Sequence, residues 1–145
     1  MAKKFLDGKK LKFMLVDDDK IIREIIGEML RLNGQEIIEA VDGNDCINKI
    51  KTSDKDTDII LLDIRMPGIK VPEILKEVKN NSPKTSVIYL TSVKAFEPSE
   101  DDIKQGWKVE LESPVIGYIE KPVNKNELLQ KIEKFLKKKE NKTWQ

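Results

Sequence analysis

The sequence predicts an α/β protein that folds as a three-layer α/β/α sandwich around a parallel sheet. Five short apolar runs are bounded by polar or turn residues, and segments with helical spacing separate them. The third run, residues 59–62, is apolar throughout, as expected of a strand with helices on both faces. Strand and helix alternate, so we expect right-handed crossovers. A length of 145 residues suits one domain with its own core.

The predicted strands are the apolar runs themselves, and turn or charged residues limit each of them. They cover residues 11–16, 36–41, 58–62, 86–90 and 117–120.

The helices are predicted from apolar spacing and from capping residues. In the first, six apolar residues between 21 and 30 form two rows on one stripe, and Asp19 is placed to cap it. Shorter helices are expected over 44–51 and 72–80. The last is expected over 125–138, because Asn124 followed by Glu127 is the pattern of a capped start.

Three segments are less regular. Between 93 and 116 we expect a short helix that starts near Pro98 and is anchored by Trp107, followed by a loop.

The chain is predicted to divide into three parts: a basic extension over residues 1–9, the domain over 10–138 and a basic tail over 139–145. Residues 1–10 and 137–145 are expected to fray, because both are basic and poor in apolar residues.

Composition excludes several classes of function. There are 27 Lys and Arg against 26 Asp and Glu, and a net charge of +1 predicts no direct binding to nucleic acid or acidic membranes. Without histidine, the chain has no His-based zinc site, no Ser-His-Asp or Cys-His nucleophile and no phosphohistidine of its own. The lone Cys46 is expected in the core, and no run of about 18 apolar residues suggests a membrane span. The expected compartment is the cytoplasm.

Polar side chains follow four of the predicted strands. Because the carboxyl ends of parallel strands share one edge of the sheet, these side chains should converge. They are Asp17, Asp18 and Asp19 after the first strand, Asp63 after the third, Thr91 after the fourth and Lys121 after the fifth.

Three carboxylates close together either take up protons or recruit a cation. Ligands that are all oxygen indicate a hard ion, and a few carboxylates with positions left for water fit Mg²⁺ better than a Ca²⁺ cage. A carboxylate beside a metal ion, an ammonium and a hydroxyl is suited to carrying a phosphoryl group. The resulting acyl phosphate hydrolyses readily, so this chemistry favours a transient switch.

Five segments together resemble one family. Over residues 10–136 the chain is similar to the receiver domains of bacterial two-component response regulators, of the stand-alone, chemotaxis-regulator-like type. The segments are FMLVDDD (13–19), EAVDG (39–43), ILLDIRMPG (60–68), YLTS (89–92) and GYIEKP (117–122). The resemblance implies a five-stranded sheet of order 2-1-3-4-5.

The resemblance also implies the roles of the site residues. Asp63 is the expected phosphorylation site, and Asp17 and Asp18 are expected to hold Mg²⁺ with it. The backbone carbonyl of Arg65 would be a further ligand.

Three more residues match the family's response to phosphorylation. Thr91 matches the switch hydroxyl that bonds a phosphoryl oxygen, and Lys121 matches the lysine beside that oxygen. Tyr118 matches the aromatic that changes rotamer on activation, although a fixed, half-buried aromatic is an equal alternative. The implied phosphoryl donor is a sensor histidine kinase or a histidine phosphotransfer protein.

Two other functions are alternatives to this one. Haloacid-dehalogenase-like phosphatases need a second acid two residues after the nucleophile, where this chain has Arg65. A phosphorylation-independent binding scaffold stays open, because the segment after Thr91 departs from the family pattern. We expect no enzyme activity beyond Mg²⁺-dependent self-phosphorylation and autodephosphorylation. The output is expected through an unidentified protein target, from a monomer or a phosphorylation-dependent dimer.

Overall fold

Five parallel strands form one sheet in the order β2-β1-β3-β4-β5. The computed structural model describes residues 4–52, 57–66, 71–92 and 113–142. The predicted fold class and strand order are both confirmed. The strands are β1 (Lys12–Val16), β2 (Glu36–Ala40), β3 (Ile59–Asp63), β4 (Ser86–Ser92) and β5 (Val115–Lys121).

Four α-helices in the described part of the chain connect and cover the strands, and their bounds agree with the predicted ones to within one residue, except at the carboxyl end of the last. They are α1 (Lys20–Arg31), α2 (Gly43–Thr52), α3 (Val71–Asn81) and α4 (Lys125–Lys142). Asp19 caps α1, since its Oδ1 accepts the N–H of Ile21 at 2.9 Å. Asn124 Oδ1 accepts the N–H of Glu127 at 2.8 Å at the start of α4. Both predicted caps are confirmed.

The central strand separates two apolar layers. Alternate residues of β3 enter one layer with α1 and α4, and the others enter a second layer with α2 and α3. All five β3 residues are buried, which confirms the prediction made from its continuous apolar run. Cys46 lies in the second layer, where burial raises the pKa of its thiol to about 12. It is the small core residue that the sequence predicts.

The two ends of the chain are more ordered than we expected. Phe5 is buried in the α1 and α4 layer, and a short 3₁₀ segment, Phe5–Gly8, carries it there. At the other end, α4 continues to Lys142, past the predicted end at residue 138. The Lys139 ammonium anchors it by hydrogen bonds to the Ser86 hydroxyl and the Lys84 carbonyl. The expectation of fraying was therefore wrong for these residues.

The strand β5 lies tightly against α4. A side chain at Gly117 would meet the ring of Phe135, because an added Cβ would lie 2.5 Å from two of its carbon atoms. The strand begins at Val115, inside the segment where we expected a loop. The helix predicted near Pro98, its anchor Trp107, and Pro67 and Gly68 of the family motif lie outside the described residues.

Buried polar groups at the amino edge of the sheet bond to each other and to the backbone. The Thr85 hydroxyl donates to the Thr57 carbonyl and contacts the Ser82 hydroxyl. The Gln35 amide accepts the N–H of Leu11 at 2.7 Å and donates to the Lys9 carbonyl at 2.9 Å.

No helix in the described part of the chain is long and apolar enough to cross a bilayer.

Candidate functional site

The carboxyl edge of the sheet brings three acids together, as the strand ends predict. Asp17 directly follows β1, and its backbone N–H bonds the Ala40 carbonyl of β2 at 3.2 Å. Asp63 is the last residue of β3. Asp17, Asp18 and Asp63 each offer a carboxylate oxygen, and these three atoms lie within 4.8 Å of one another. Asp17 and Asp63 are buried, whereas Asp18 is exposed, so the cluster opens to solvent on one side.

Lys121, at the end of β5, reaches across to two of these acids. Its Nζ lies 2.8 Å from Asp17 Oδ2 and 3.4 Å from Asp63 Oδ2. Burial lowers the pKa of Lys121, but the hydrogen bond and charge of Asp17, with those of Asp63, outweigh burial and raise it. The lysine therefore stays protonated and neutralises part of the acidic charge.

The Asp17 side chain and carbonyl are held from three directions. Oδ1 accepts the backbone N–H of Asp19 at 2.9 Å, and Oδ2 accepts from Lys121. The backbone carbonyl accepts a hydrogen bond from Arg23 Nη1 at 2.7 Å. Arg23 in turn pairs with Glu39 through an Nε to Oε1 contact of 3.1 Å. This pair was not among the residues predicted from the sequence. The available signal was that Arg23 lies three and seven residues before the core residues Ile26 and Leu30, on the buried side of α1.

The loop after β3 contributes a backbone group to Asp63. The N–H of Arg65 donates to Asp63 Oδ1 at 2.9 Å, which fixes the carboxylate relative to the loop. The use of the Arg65 carbonyl as a metal ligand stays a prediction.

Thr91 and Tyr118 lie on the two strands beyond β3. Thr91 is buried near the end of β4, one residue after Leu90, the register partner of Asp63. Tyr118 is half-buried in β5 opposite Tyr89, three residues before Lys121. The structure thus places Thr91 at the same edge as the acids and Tyr118 further back along its strand. Their switch roles stay predictions.

The donor set fits a hard divalent cation. All three side chains offer carboxylate oxygen, the ligand type that Mg²⁺ prefers. Among the described residues, one ammonium contacts this group of three carboxylates. Within the described residues, three carboxylates beside one ammonium leave an excess of negative charge that a divalent ion would reduce. The exposed Asp18 leaves room for water ligands, which Mg²⁺ usually keeps.

Comparison with known proteins identifies the family. Residues 13–133 match the family model described as the response regulator receiver domain. This chain is a response regulator receiver domain. Protein PilG from Pseudomonas aeruginosa is 35% identical to it over 124 residues, with 82% of each chain covered. Receiver domains bind Mg²⁺ at an acidic cluster, and Asp17, Asp18 and Asp63 form such a cluster here.

Solved receiver structures have the same fold. Chemotaxis protein CheY4 of Vibrio cholerae is 26% identical, with 88% of this chain and 99% of that chain covered and a TM-score of 0.67. Response regulator TrrA from Thermotoga maritima, solved in complex with Mg²⁺ and BeF, is 27% identical. The match covers 86% of this chain and 98% of that one, with a TM-score of 0.65.

Proposed function

We propose that Asp63 accepts a phosphoryl group from a phosphohistidine on a sensor histidine kinase or a histidine phosphotransfer protein. The observation that carries this proposal is the meeting of Asp17, Asp18 and Asp63 within 4.8 Å, beside the Lys121 ammonium. In the transfer, an Asp63 oxygen forms a bond to phosphorus while the phosphorus to nitrogen bond of the donor breaks. The imidazole nitrogen leaves with the electron pair.

The residues of this chain orient and neutralise the reacting groups. Asp17, Asp18, Asp63 and the Arg65 carbonyl would hold Mg²⁺, which when bound supplies positive charge to the transferred oxygens. The N–H of Arg65 holds Asp63 in place through Oδ1. Lys121, already 3.4 Å from Asp63 Oδ2, is placed to neutralise an added phosphoryl oxygen.

The output of the switch is carried by β4 and β5. The phosphoryl group offers the Thr91 hydroxyl a charge-assisted bond that is absent before transfer. A shift of Thr91 toward the acids would change the packing around Tyr118 and so alter the surface that a protein target binds. We propose no enzyme activity beyond Mg²⁺-dependent self-phosphorylation and autodephosphorylation. The expected location is the cytoplasm, where the kinase presents its phosphohistidine.

Acetyl phosphate with Mg²⁺ tests the proposal directly. The intact mass of the parent should rise by one phosphoryl group, and hydroxylamine should cleave the adduct. Asp63→Asn should show no gain. Asp58→Asn is the matched control, because Asp58 is exposed and lies next to the opposite end of β3. This substitution should leave phosphorylation unchanged. No gain in the parent would refute phosphoryl acceptance and favour the phosphorylation-independent scaffold.

A further inference from the structure

Arg23 joins the first acidic loop to a neighbouring strand. Its Nη1 donates to the Asp17 carbonyl at 2.7 Å, and its Nε pairs with Glu39 of β2 at 3.1 Å. The Arg23 side chain is 11% exposed, so the guanidinium lies largely out of water, whereas the Glu39 side chain is 38% exposed. A guanidinium can bond two acceptors at once because its donors lie in one rigid plane.

The carbonyl that Arg23 holds lies between two predicted metal ligands. It belongs to the peptide unit that joins Asp17 to Asp18, and a peptide unit is planar. Holding this oxygen therefore limits the rotation of the plane from which the Asp18 backbone continues. The Asp17 carboxylate is already held by Asp19 and Lys121, whereas Asp18 is exposed. Arg23 thus orders the peptide that carries the more exposed ligand.

We propose that Arg23 is a positioning residue for the Mg²⁺ site, an inference that rests on the proposed function. It sets the Asp17–Asp18 peptide so that both carboxylates face Asp63 before the metal ion binds. Glu39 keeps the guanidinium in place, and therefore acts on the site through Arg23. Groups that orient metal ligands commonly change metal affinity by 10-fold to about 100-fold when removed.

Electrostatics alone predicts the opposite sign. Arg23 is a positive charge beside a cation site, so its removal would strengthen Mg²⁺ binding if charge were its only influence. If Arg23 acts by positioning, its removal weakens binding although the local charge becomes more favourable to the cation. The direction of the change therefore separates the two explanations.

Calorimetric titration of MgCl₂ into the unphosphorylated chain measures this direction. Arg23→Met removes both donors but keeps most of the apolar stem, and should weaken Mg²⁺ binding by about 10-fold. Arg31→Met is the matched control. Arg31 lies on the same helix and approaches the same Glu39 at 3.9 Å, but its side chain is 51% exposed. Its removal should leave the affinity unchanged.

Arg23→Lys tests the same point with the charge retained. A lysine can still donate to the Asp17 carbonyl, so positioning predicts tighter Mg²⁺ binding than in Arg23→Met. Charge alone predicts weaker binding than in Arg23→Met. Melting curves in EDTA give the temperature range in which each variant is folded, and the titrations are made within it.

The outcomes separate the inference from the proposed function. A parent that takes up no Mg²⁺ refutes the proposed function. A parent that binds Mg²⁺, with Arg23→Met binding equally well or more tightly, overturns only the role of Arg23. An equal loss in Arg31→Met, or no recovery in Arg23→Lys, overturns it as well.

Discussion

The two edges of the sheet both bury polar side chains, but they satisfy them differently. At the amino edge, Thr85 and Ser82 bond to each other, and Thr85 also bonds to the Thr57 carbonyl. At the carboxyl edge, Asp17 and Asp63 are buried beside Lys121, with Asp18 close by. The first group is neutral and its buried polar atoms have hydrogen-bond partners, whereas the second, within the described residues, holds more carboxylates than ammonium groups.

This difference shows how a structural polar cluster can be told from a binding site. Hydroxyl and amide groups at the amino edge need nothing from outside, because the protein supplies their partners. Where carboxylates outnumber nearby cations, their burial and mutual repulsion destabilise the folded protein until a cation binds. The amino edge should therefore respond to loss of a hydrogen bond, and the carboxyl edge to changes of charge and to Mg²⁺.

The largest effect on stability is expected for Lys121→Met. It leaves two buried carboxylates without their ammonium, which should lower the free energy of unfolding in EDTA by about 3 kcal/mol. Urea denaturation measures the loss, and Mg²⁺ should recover part of it. Lys20→Met is the control, because Lys20 and Glu24 are exposed and 3.9 Å apart. If the free energy of unfolding falls equally little in both variants, the carboxyl edge does not hold the uncompensated charge that the comparison of the two edges assigns to it.

Thr85→Val should have the next largest effect. It leaves the Thr57 carbonyl and the Ser82 hydroxyl without the Thr85 partner, at a cost of about 2 kcal/mol in urea denaturation. The loss should be the same with and without Mg²⁺, because the change lies at the opposite edge from the acids. A loss that Mg²⁺ reverses would show that the two edges are not independent.

Asp63→Asn should change stability in the other direction. In EDTA it removes one of three crowded negative charges, so the free energy of unfolding should rise by about 1 kcal/mol. The stabilisation that Mg²⁺ gives the parent should shrink, as thermal melts with and without MgCl₂ would reveal. If the variant is destabilised as much as Thr85→Val, the idea of crowded charge at this edge is wrong.

The smallest effect is a pH dependence above about pH 10. The pKa of Lys121 is raised in the folded protein, so its stabilising contribution is complete below the ordinary value of 10.5 and is lost as pH rises through the raised pKa. The stability difference between parent and Lys121→Met should therefore be constant from pH 8 to about 10 and decrease above that. Burial raises the pKa of the Cys46 thiol from 9.0 to about 12. Because this change is the same in both proteins, it does not alter the stability difference between them. A difference that grows with pH would contradict this sign.

Much of the fold and site could be predicted because apolar runs and the polar residues after them lie next to each other in sequence. The run 59–62 followed by Asp63 gives both a buried strand and a residue at its carboxyl edge. Asp17 and Lys121 are 104 residues apart, yet the parallel order places both at that edge.

Other features depend on contacts that no local pattern contains. Phe5 is a single aromatic among lysines, and its burial follows from the apolar layer that α1 and α4 form beside it. In the sequence, Arg23 is one charged residue on an amphipathic helix. Its pairing with Glu39 becomes visible only in the fold, where β2 lies beside α1. The length of α4 similarly depends on two hydrogen bonds of Lys139. One is to Lys84 in the loop before β4, and the other is to Ser86, the first residue of β4.

The contact between Gly117 and Phe135 limits how the last strand can respond to a signal. The ring occupies the volume that a side chain would need, so that side of β5 is fastened to α4. Tyr118, the next residue, points to the opposite side of the sheet. Any rearrangement of β5 must then be taken up by that second row of side chains, while the Phe135 side serves as its fixed support.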